Sequence, residues 1–200
     1  MKKLFILGII LCSVISCKDN PTVKKANEVK DNITNTTKAA RELNKMQEDI
    51  QDLQEKEPLT NDDLKKWLPE ELKNMKRTSY RAGQLGMANI ASIEATYQEE
   101  NSDKKLKVRV IDGAGQMGAS MTAGVRMMLS RDFEEDSDRE SRRTIKKKGM
   151  KVVETYKKKS NDSKLEFLHG DRFFVSLEGD NMDLDELWDR VDELDFDDLI

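Results

Sequence analysis

The sequence predicts an α+β fold in which an antiparallel sheet of about six to seven strands packs against helices. Apolar and polar residues alternate with period two over several short segments, as they do in half-buried strands. The turns between these segments are rich in Gly, Asn and Asp and are too short for the crossovers of a parallel sheet. Segments with helical periodicity lie before, between and after the strands.

The first element is a helix over residues 39–53, which Pro58 limits on its C-terminal side. Its apolar residues repeat at spacings of three and four, and only about two heptads are present. Two alternatives stay open: the helix packs on its own domain, or its apolar seam forms oligomers. The seam residues are Leu43, Met46, Ile50 and Leu53.

A short second helix is predicted between Thr60, as its N-cap, and Pro69. Three strands should follow, then a helix, then four more strands. In the third strand, Lys107 and Arg109 alternate with apolar residues, which indicates one buried and one wet face. The predicted strands are residues 72–83, 91–100, 104–112, 142–149, 150–159, 163–170 and 172–179.

Two further helices complete the predicted domain. One spans about residues 117–133, with a buried side formed by Met117, Met121, Val125, Met128 and Leu129. A charged loop, residues 133–143, should follow it. The last helix covers residues 183–194, where Asp183 is the expected N-cap and Glu186 its capping-box partner.

Composition limits the classes of function. Charged residues make up 37% of the chain, and the formal net charge is −4. An acidic chain is a poor candidate for nucleic-acid binding, so no nucleic-acid partner is expected. Both cysteines, Cys12 and Cys17, lie near the N-terminus, so the rest of the chain has no thiol nucleophile and no cysteine metal site. We expect no cofactor and no metal.

The N-terminal residues predict an export signal. Lys2 and Lys3 precede a short apolar run over residues 4–11, too short to span a bilayer. The following Val14-Ile15-Ser16-Cys17 resembles the lipobox of bacterial lipoproteins. That resemblance implies cleavage by signal peptidase II and a lipid, such as palmitate, on Cys17. The predicted divisions are a signal peptide over residues 1–16, a lipidated tether over 17–38, a helical region over 39–68 and the α+β domain over 70–200.

A glycine motif stands out in VRVIDGAGQMG, residues 108–118, where Gly113, Gly115 and Gly118 have the G-x-G-x-x-G spacing of dinucleotide sites. Such a site needs a parallel sheet and a second strand that ends in an acidic residue about 20 residues later. Residues 134–138 at that place are acidic, but no apolar strand precedes them. A tight strand-to-helix turn is the expected role. Contact of this helix start with a small anion or acidic ligand stays open.

Other candidate residues are dispersed. His169, the only histidine, lies at a predicted turn, so we expect no catalytic role for it. The acidic C-terminal segment, residues 180–198, lacks the glycine-containing spacing of a calcium loop. A basic run on two adjacent predicted strands is a candidate contact surface for an acidic partner. It comprises Arg142, Arg143, Lys146, Lys147, Lys148, Lys151, Lys157, Lys158 and Lys159.

The lipobox, residues 75–83, 110–118 and 175–189 together resemble small Bacteroidota envelope lipoproteins that carry no assigned activity. The resemblance implies an outer-membrane lipoprotein that faces the periplasm or the cell surface. The strand order is distantly similar to PsbP-like α/β domains, which bears on fold alone. We therefore expect a membrane-anchored, non-enzymatic binding or accessory module with an envelope protein or an anionic glycan as partner. A hydrolase of envelope polymers and a structural subunit of an envelope assembly are the alternatives.

Overall fold

The computed structural model describes residues 40–41, 43–85 and 90–199. The predicted signal peptide, the tether and Cys17 lie outside the described residues. The chain divides into two compact units, and the second, Lys45–Ile200, holds the fold described below. Its helices are α1, helical over residues 43–55, α2 (Asn61–Trp67), α3 (Gly115–Ser130) and α4 (Leu184–Val191), followed by a 3₁₀ turn (Phe196–Leu199).

The α+β class with an antiparallel sheet is confirmed. In the described part of the chain, nine strands form one sheet in the order β1-β2-β3-β4-β9-β8-β7-β6-β5, and every neighbouring pair is antiparallel. The strands are β1 (Glu71–Leu72), β2 (Met75–Leu85), β3 (Ile90–Glu99), β4 (Lys105–Asp112), β5 (Glu134–Asp136), β6 (Glu140–Lys147), β7 (Met150–Lys157), β8 (Asp162–His169) and β9 (Phe173–Asp180).

The two faces of the sheet carry different helices. We call the first the core face, because its side chains pack with α2, α4 and the 3₁₀ turn. Trp188 of α4 bonds to Glu154 on this face. Helix α3 covers part of the opposite face, where Lys151, three residues from Glu154, reaches Ser130. The core-face strand residues include Ile93, Tyr97, Leu106, Val108, Val110, Leu165, Phe167, Val175 and Leu177.

Helix ends follow the predicted capping chemistry. The Thr60 hydroxyl accepts a hydrogen bond from the Asp63 N–H, and the Asp63 carboxylate accepts one from the Thr60 N–H. Asp183 and Glu186 form the same reciprocal pair at α4. Such a box satisfies backbone donors that the first turn leaves free. Both N-termini lie where the sequence predicts them.

The sequence predicted too few strands because two of the nine described strands are very short. Strand β1 has two residues, and β5 has three, all acidic and exposed. Residues 133–143, predicted as a charged loop, instead hold β5 and the start of β6, which pair from Glu134↔Arg143 to Asp136↔Ser141. Segments this short and polar show no period-two pattern.

The predicted buried side of α3 is correct for Leu129 and wrong for Met117, and Met121, Val125 and Met128 are partly buried. Met117 is 53% exposed and Met127 58% exposed, whereas Gly118, Ala119, Thr122 and Leu129 are buried. A Cβ added at Gly118 would lie 2.8 Å from the Asp112 carbonyl oxygen. The first turns of α3 therefore approach the end of β4 so closely that only small side chains fit.

Helix α1 contributes to the same compact unit from Lys45 onward. Leu53 of the predicted seam is 4% exposed, and Ile50 and Met46 are partly buried. Asp49 forms an ion pair with Arg126 of α3. These contacts favour packing of α1 on its own domain over an intermolecular seam.

Candidate functional site

The glycine motif surrounds a buried carboxylate. Asp112, the last residue of β4, has no exposed surface. Its Oδ1 accepts hydrogen bonds from the Ala114 N–H at 2.9 Å and from Arg172 Nε at 2.7 Å. Its Oδ2 accepts from the Leu59 N–H at 2.8 Å and from Arg172 Nη2 at 2.8 Å. The helix N-terminus thus already has an acidic group, supplied by the chain itself.

We call Asp112 and Arg172 the clasp, because they join three segments. Arg172 lies between β8 and β9, and its Nη2 also donates to the Glu57 carbonyl in the α1–α2 connection. The Leu59 N–H fixes the same connection to Asp112. The clasp therefore holds the α1–α2 connection against the β4–α3 turn.

The three glycines lie in this packed junction. The Gly113 N–H donates to the Arg172 carbonyl at 3.0 Å, and a Cβ at Gly113 would meet Thr122 Cγ2 at 2.4 Å. Gly115 has φ +77° and lies against Pro58. A positive φ and close backbone approach both require glycine. Steric demands thus account for the spacing, and the anion contact stays a prediction.

The basic run does not form one surface, because alternate residues of β6 and β7 point to opposite faces. On the core face, Arg143 Nε donates to the buried Glu154 at 2.9 Å, and Glu154 accepts from Trp188 Nε1 at 2.7 Å. Lys147 lies over the Trp188 ring at 4.3 Å. These two cations therefore stabilise the packing of α4.

Most of the remaining basic residues have acidic or aromatic neighbours. Lys151 pairs with Asp132 at 2.7 Å, and Lys158 with Asp136 at 2.7 Å. Lys148 contacts Asp192. In the described part of the chain, no ion pair is found for Lys146, Lys157 or Lys159. The run is thus dispersed over both faces, and four of its nine cations are paired with carboxylates.

The remaining candidate residues, His169 and the C-terminal acidic residues, lie apart from the basic run. His169 faces the core side, where its ring lies 5.6 Å from that of Phe196 and its Nε2 lies 3.3 Å from Asp197 Oδ1 without hydrogen-bond geometry. Among the C-terminal acids, Asp183 caps α4 and Asp189 pairs with Lys73. Within the described ranges, no group of three potential ligands is placed to hold a metal ion.

The sheet face that α3 leaves open carries a charged depression of ≈ 410 Å³. At its centre Lys164 Nζ lies 2.9 Å from Glu166 and 3.4 Å from Glu178. Burial lowers the pKa of Lys164, but the hydrogen bonds to Glu166 and Glu178 outweigh it, so the pKa stands above its ordinary value. Both carboxylates are thereby engaged with one ammonium group.

An apolar groove of ≈ 540 Å³ runs beside this depression, between α3 and the β5–β6 hairpin. Met127, Met128 and Phe133 line it, and Gly124 leaves its floor open. Arg142 lines both cavities, and its guanidinium lies 5.1 Å from the centre of the Phe133 ring. We call this continuous surface the Arg142 surface. Of its residues, the sequence singled out Arg142 and Lys157 as contacts, and Met128 only as part of the core.

Sequence reasoning missed the rest of the Arg142 surface because strand register creates it. Across the sheet, Glu178 pairs with Lys164, Lys164 with Thr155, and Thr155 with Arg142. These residues are far apart in the chain, and each strand shows only an alternating pattern. Residues 113–125 carry no charge in a chain with 37% charged residues, but only Gly124 of this surface lies among them.

Comparison with known proteins adds little. No family model matches the sequence, and no curated protein matches it. Among solved structures, the chain is similar to a GTP-binding regulator from Thermotoga maritima, with 12% identity and a TM-score of 0.33. The match covers 68% of this chain and 84% of that chain. A likeness this distant carries no argument about function. Within the described residues, no helix is long and apolar enough to cross a membrane.

Proposed function

We propose that the protein is a lipid-anchored lipoprotein of the bacterial outer membrane that binds a protein partner and catalyses no reaction. The anchor rests on the Val14-Ile15-Ser16-Cys17 lipobox and on the apolar run before it. A lipid at Cys17 would fix the chain to the membrane, and residues 18–38 would separate the domain from it. The protein faces the periplasm or the cell surface.

The Arg142 surface carries the binding proposal. It combines exposed methionine, an aromatic ring and arginine, which are enriched in protein interfaces. Methionine adapts to the shape of a partner because its side chain is flexible. Within the described residues no ion pair is found for Arg142; its guanidinium lies over the Phe133 ring, and Glu135 lies opposite it on β5. A partner's carboxylate would therefore replace Glu135 as the acidic neighbour of this guanidinium. The partner is therefore a protein segment that presents an apolar side chain next to an acidic one.

The same geometry argues against a hydrolase of envelope polymers. A pair of catalytic carboxylates needs one acid and one base in different environments. Glu166 and Glu178 instead share Lys164. His169 lies on the opposite, core face of the sheet from this pair, as the register of β8 shows.

The anchor is tested by labelling cells with a palmitate analogue. The wild-type chain should incorporate label and fractionate with membranes, and Cys17→Ser should lose both properties. Label on the Cys17→Ser variant, or none on the wild type, would contradict the anchor.

The surface is tested by chemical crosslinking in intact envelopes, with a tagged chain. Met127→Glu and Arg142→Glu should each remove the crosslinked partner, whereas Lys66→Glu, exposed on helix α2, should keep it. Circular dichroism must show that all three variants fold. Retention of the same partner by both surface variants would refute the assignment.

A further inference from the structure

Within the part of the chain that the structure describes, the outer edge of β2 is open over most of its length. Strand β1 pairs only with Met75 and Lys76. Among residues 43–85 and 90–199, no strand pairs with this edge from Ser79 onward. Tyr80 there is 49% exposed, and Gly83 has nothing within 4 Å of a Cβ position. A row of free backbone donors and acceptors is a template for one more strand.

The opposite edge of the sheet is β5. All three of its residues, Glu134–Asp136, are exposed, and β5 pairs only with β6. The two edges have opposite charge. Strand β2 contains Lys76, Arg77 and Arg81 and no acidic residue, whereas β5 is entirely acidic. Lys76 and Arg77 already pair with Glu100 and Glu70, so Arg81 is the cation that this edge offers to the acidic β5 of another copy.

The strand direction and the side-chain faces of the two edge strands, β2 and β5, are also compatible with pairing. Seven antiparallel steps separate β2 from β5, so β5 runs antiparallel to β2. A second copy, translated along the sheet and rotated as the sheet twist requires, would place its β5 beside β2 in the direction that β1 already has. Followed strand by strand from β5, the registers put Glu135 on the same face of the sheet as Arg142, Thr155 and Lys164. At the other edge, Ser79 and Arg81 of β2 lie on this same face. Facing residues of the two edges thus share one side of a continuous sheet.

We infer that β5 of one copy adds to the open edge of β2 in the next copy, so that the protein assembles head to tail. With Glu135 opposite Arg81, Glu134 lies opposite Ala82 and Asp136 opposite Tyr80, on the core face where Arg77 also lies. This contact is heterologous and leaves one edge free at each end, so it forms chains rather than closed dimers. It does not use the α1 seam, but Glu135 of β5 borders the Arg142 surface.

Three paired residues make a weak contact in dilute solution. Anchoring on a membrane would raise the effective concentration of neighbouring copies and restrict their orientation. Charge complementarity then decides which edges meet. Chain growth is therefore expected on the membrane at densities where the soluble protein is still mostly monomeric.

Disulfide crosslinking of the full chain in cell envelopes tests the inference. Opposite residues in an antiparallel pair are close enough for a disulfide. The double variant Ala82→Cys/Glu134→Cys should give a ladder of covalent multimers on mild oxidation. Ala82→Cys alone should give none, and neither should Ala82→Cys/Ser120→Cys, because Ser120 is exposed on α3, away from both edge strands. The parental chain controls for Cys12 and Cys17.

A charge swap in the double-cysteine background tests the cause. Arg81→Glu should abolish the ladder, and adding Glu135→Lys to it should restore the ladder. No ladder from Ala82→Cys/Glu134→Cys would overturn the inference. Dimers from Ala82→Cys alone would also overturn it, because they require β2 to pair with β2. A ladder that Arg81→Glu leaves unchanged would refute the electrostatic basis.

Discussion

The Asp112–Arg172 clasp makes the sharpest prediction about stability. Asp112→Ala removes a fully buried carboxylate and leaves the Leu59 and Ala114 N–H groups without their acceptor. It also leaves the Arg172 guanidinium, which is 17% exposed, without its counter-charge. Removing one partner of a buried pair typically costs about 3–5 kcal/mol. We expect Asp112→Ala to lower the free energy of unfolding by that amount.

The assay is urea unfolding followed by tryptophan fluorescence, with Arg172→Ala and the double variant measured alongside. Because each single variant leaves an unpaired charge, the double variant should lose clearly less than the sum of the two single losses. Glu94→Gln is the matched control. Glu94 also pairs with an arginine, Arg109, but both side chains are at least a third exposed, so its loss should stay below about 1 kcal/mol.

Two results would refute this reasoning. A loss below about 1 kcal/mol for Asp112→Ala would mean that the four hydrogen bonds do not act as a buried network. Strict additivity in the double variant would mean that Asp112 and Arg172 stabilise the fold independently.

Further predictions concern single positions. Gly113→Ala should destabilise the protein by about 1–3 kcal/mol in urea unfolding, because the added Cβ would meet Thr122 and the Arg172 carbonyl. Gly124→Ala should stabilise it by about 0.5–1 kcal/mol, because no atom lies within 4 Å of the added Cβ and alanine favours the helix. Burial raises the pKa of Tyr97 to about 12, so ionisation of its phenol, followed by ultraviolet absorbance, should occur near that pH in the folded chain. Tyr97→Phe should remove this transition, together with the hydrogen bond that the Tyr97 hydroxyl donates to the Pro69 carbonyl. The hydrogen bond from Arg109 holds the pKa of Glu94 below its ordinary value of 4.5. The Glu94–Arg109 pair should therefore stabilise the fold fully above pH 4.5, and this stabilisation should be lost on further acidification. Glu94→Gln should remove this part of the pH dependence of the free energy of unfolding.

The sequence predicts the strands and caps well because their signals are local. Alternation in β4 and the turn residues after β6, β7 and β8 fix most strand positions to within a few residues. Thr60 and Asp183 need only a neighbour three residues away. Strand β5 was missed because its partner, β6, makes it a strand, and its own residues show only charge.

Helix α3 shows why the site was harder to predict. Met117, Met121 and Met128 were assigned to the core because apolar residues at helical spacing usually face inward. The Asp112–Arg172 clasp brings the start of α3 so close to the end of β4 that Gly118, Ala119 and Thr122 take the inner positions. Met117 and Met127 are then left on the surface. The same buried ion pair that explains the glycine spacing thus also accounts for the exposed apolar side chains from which the binding proposal is built.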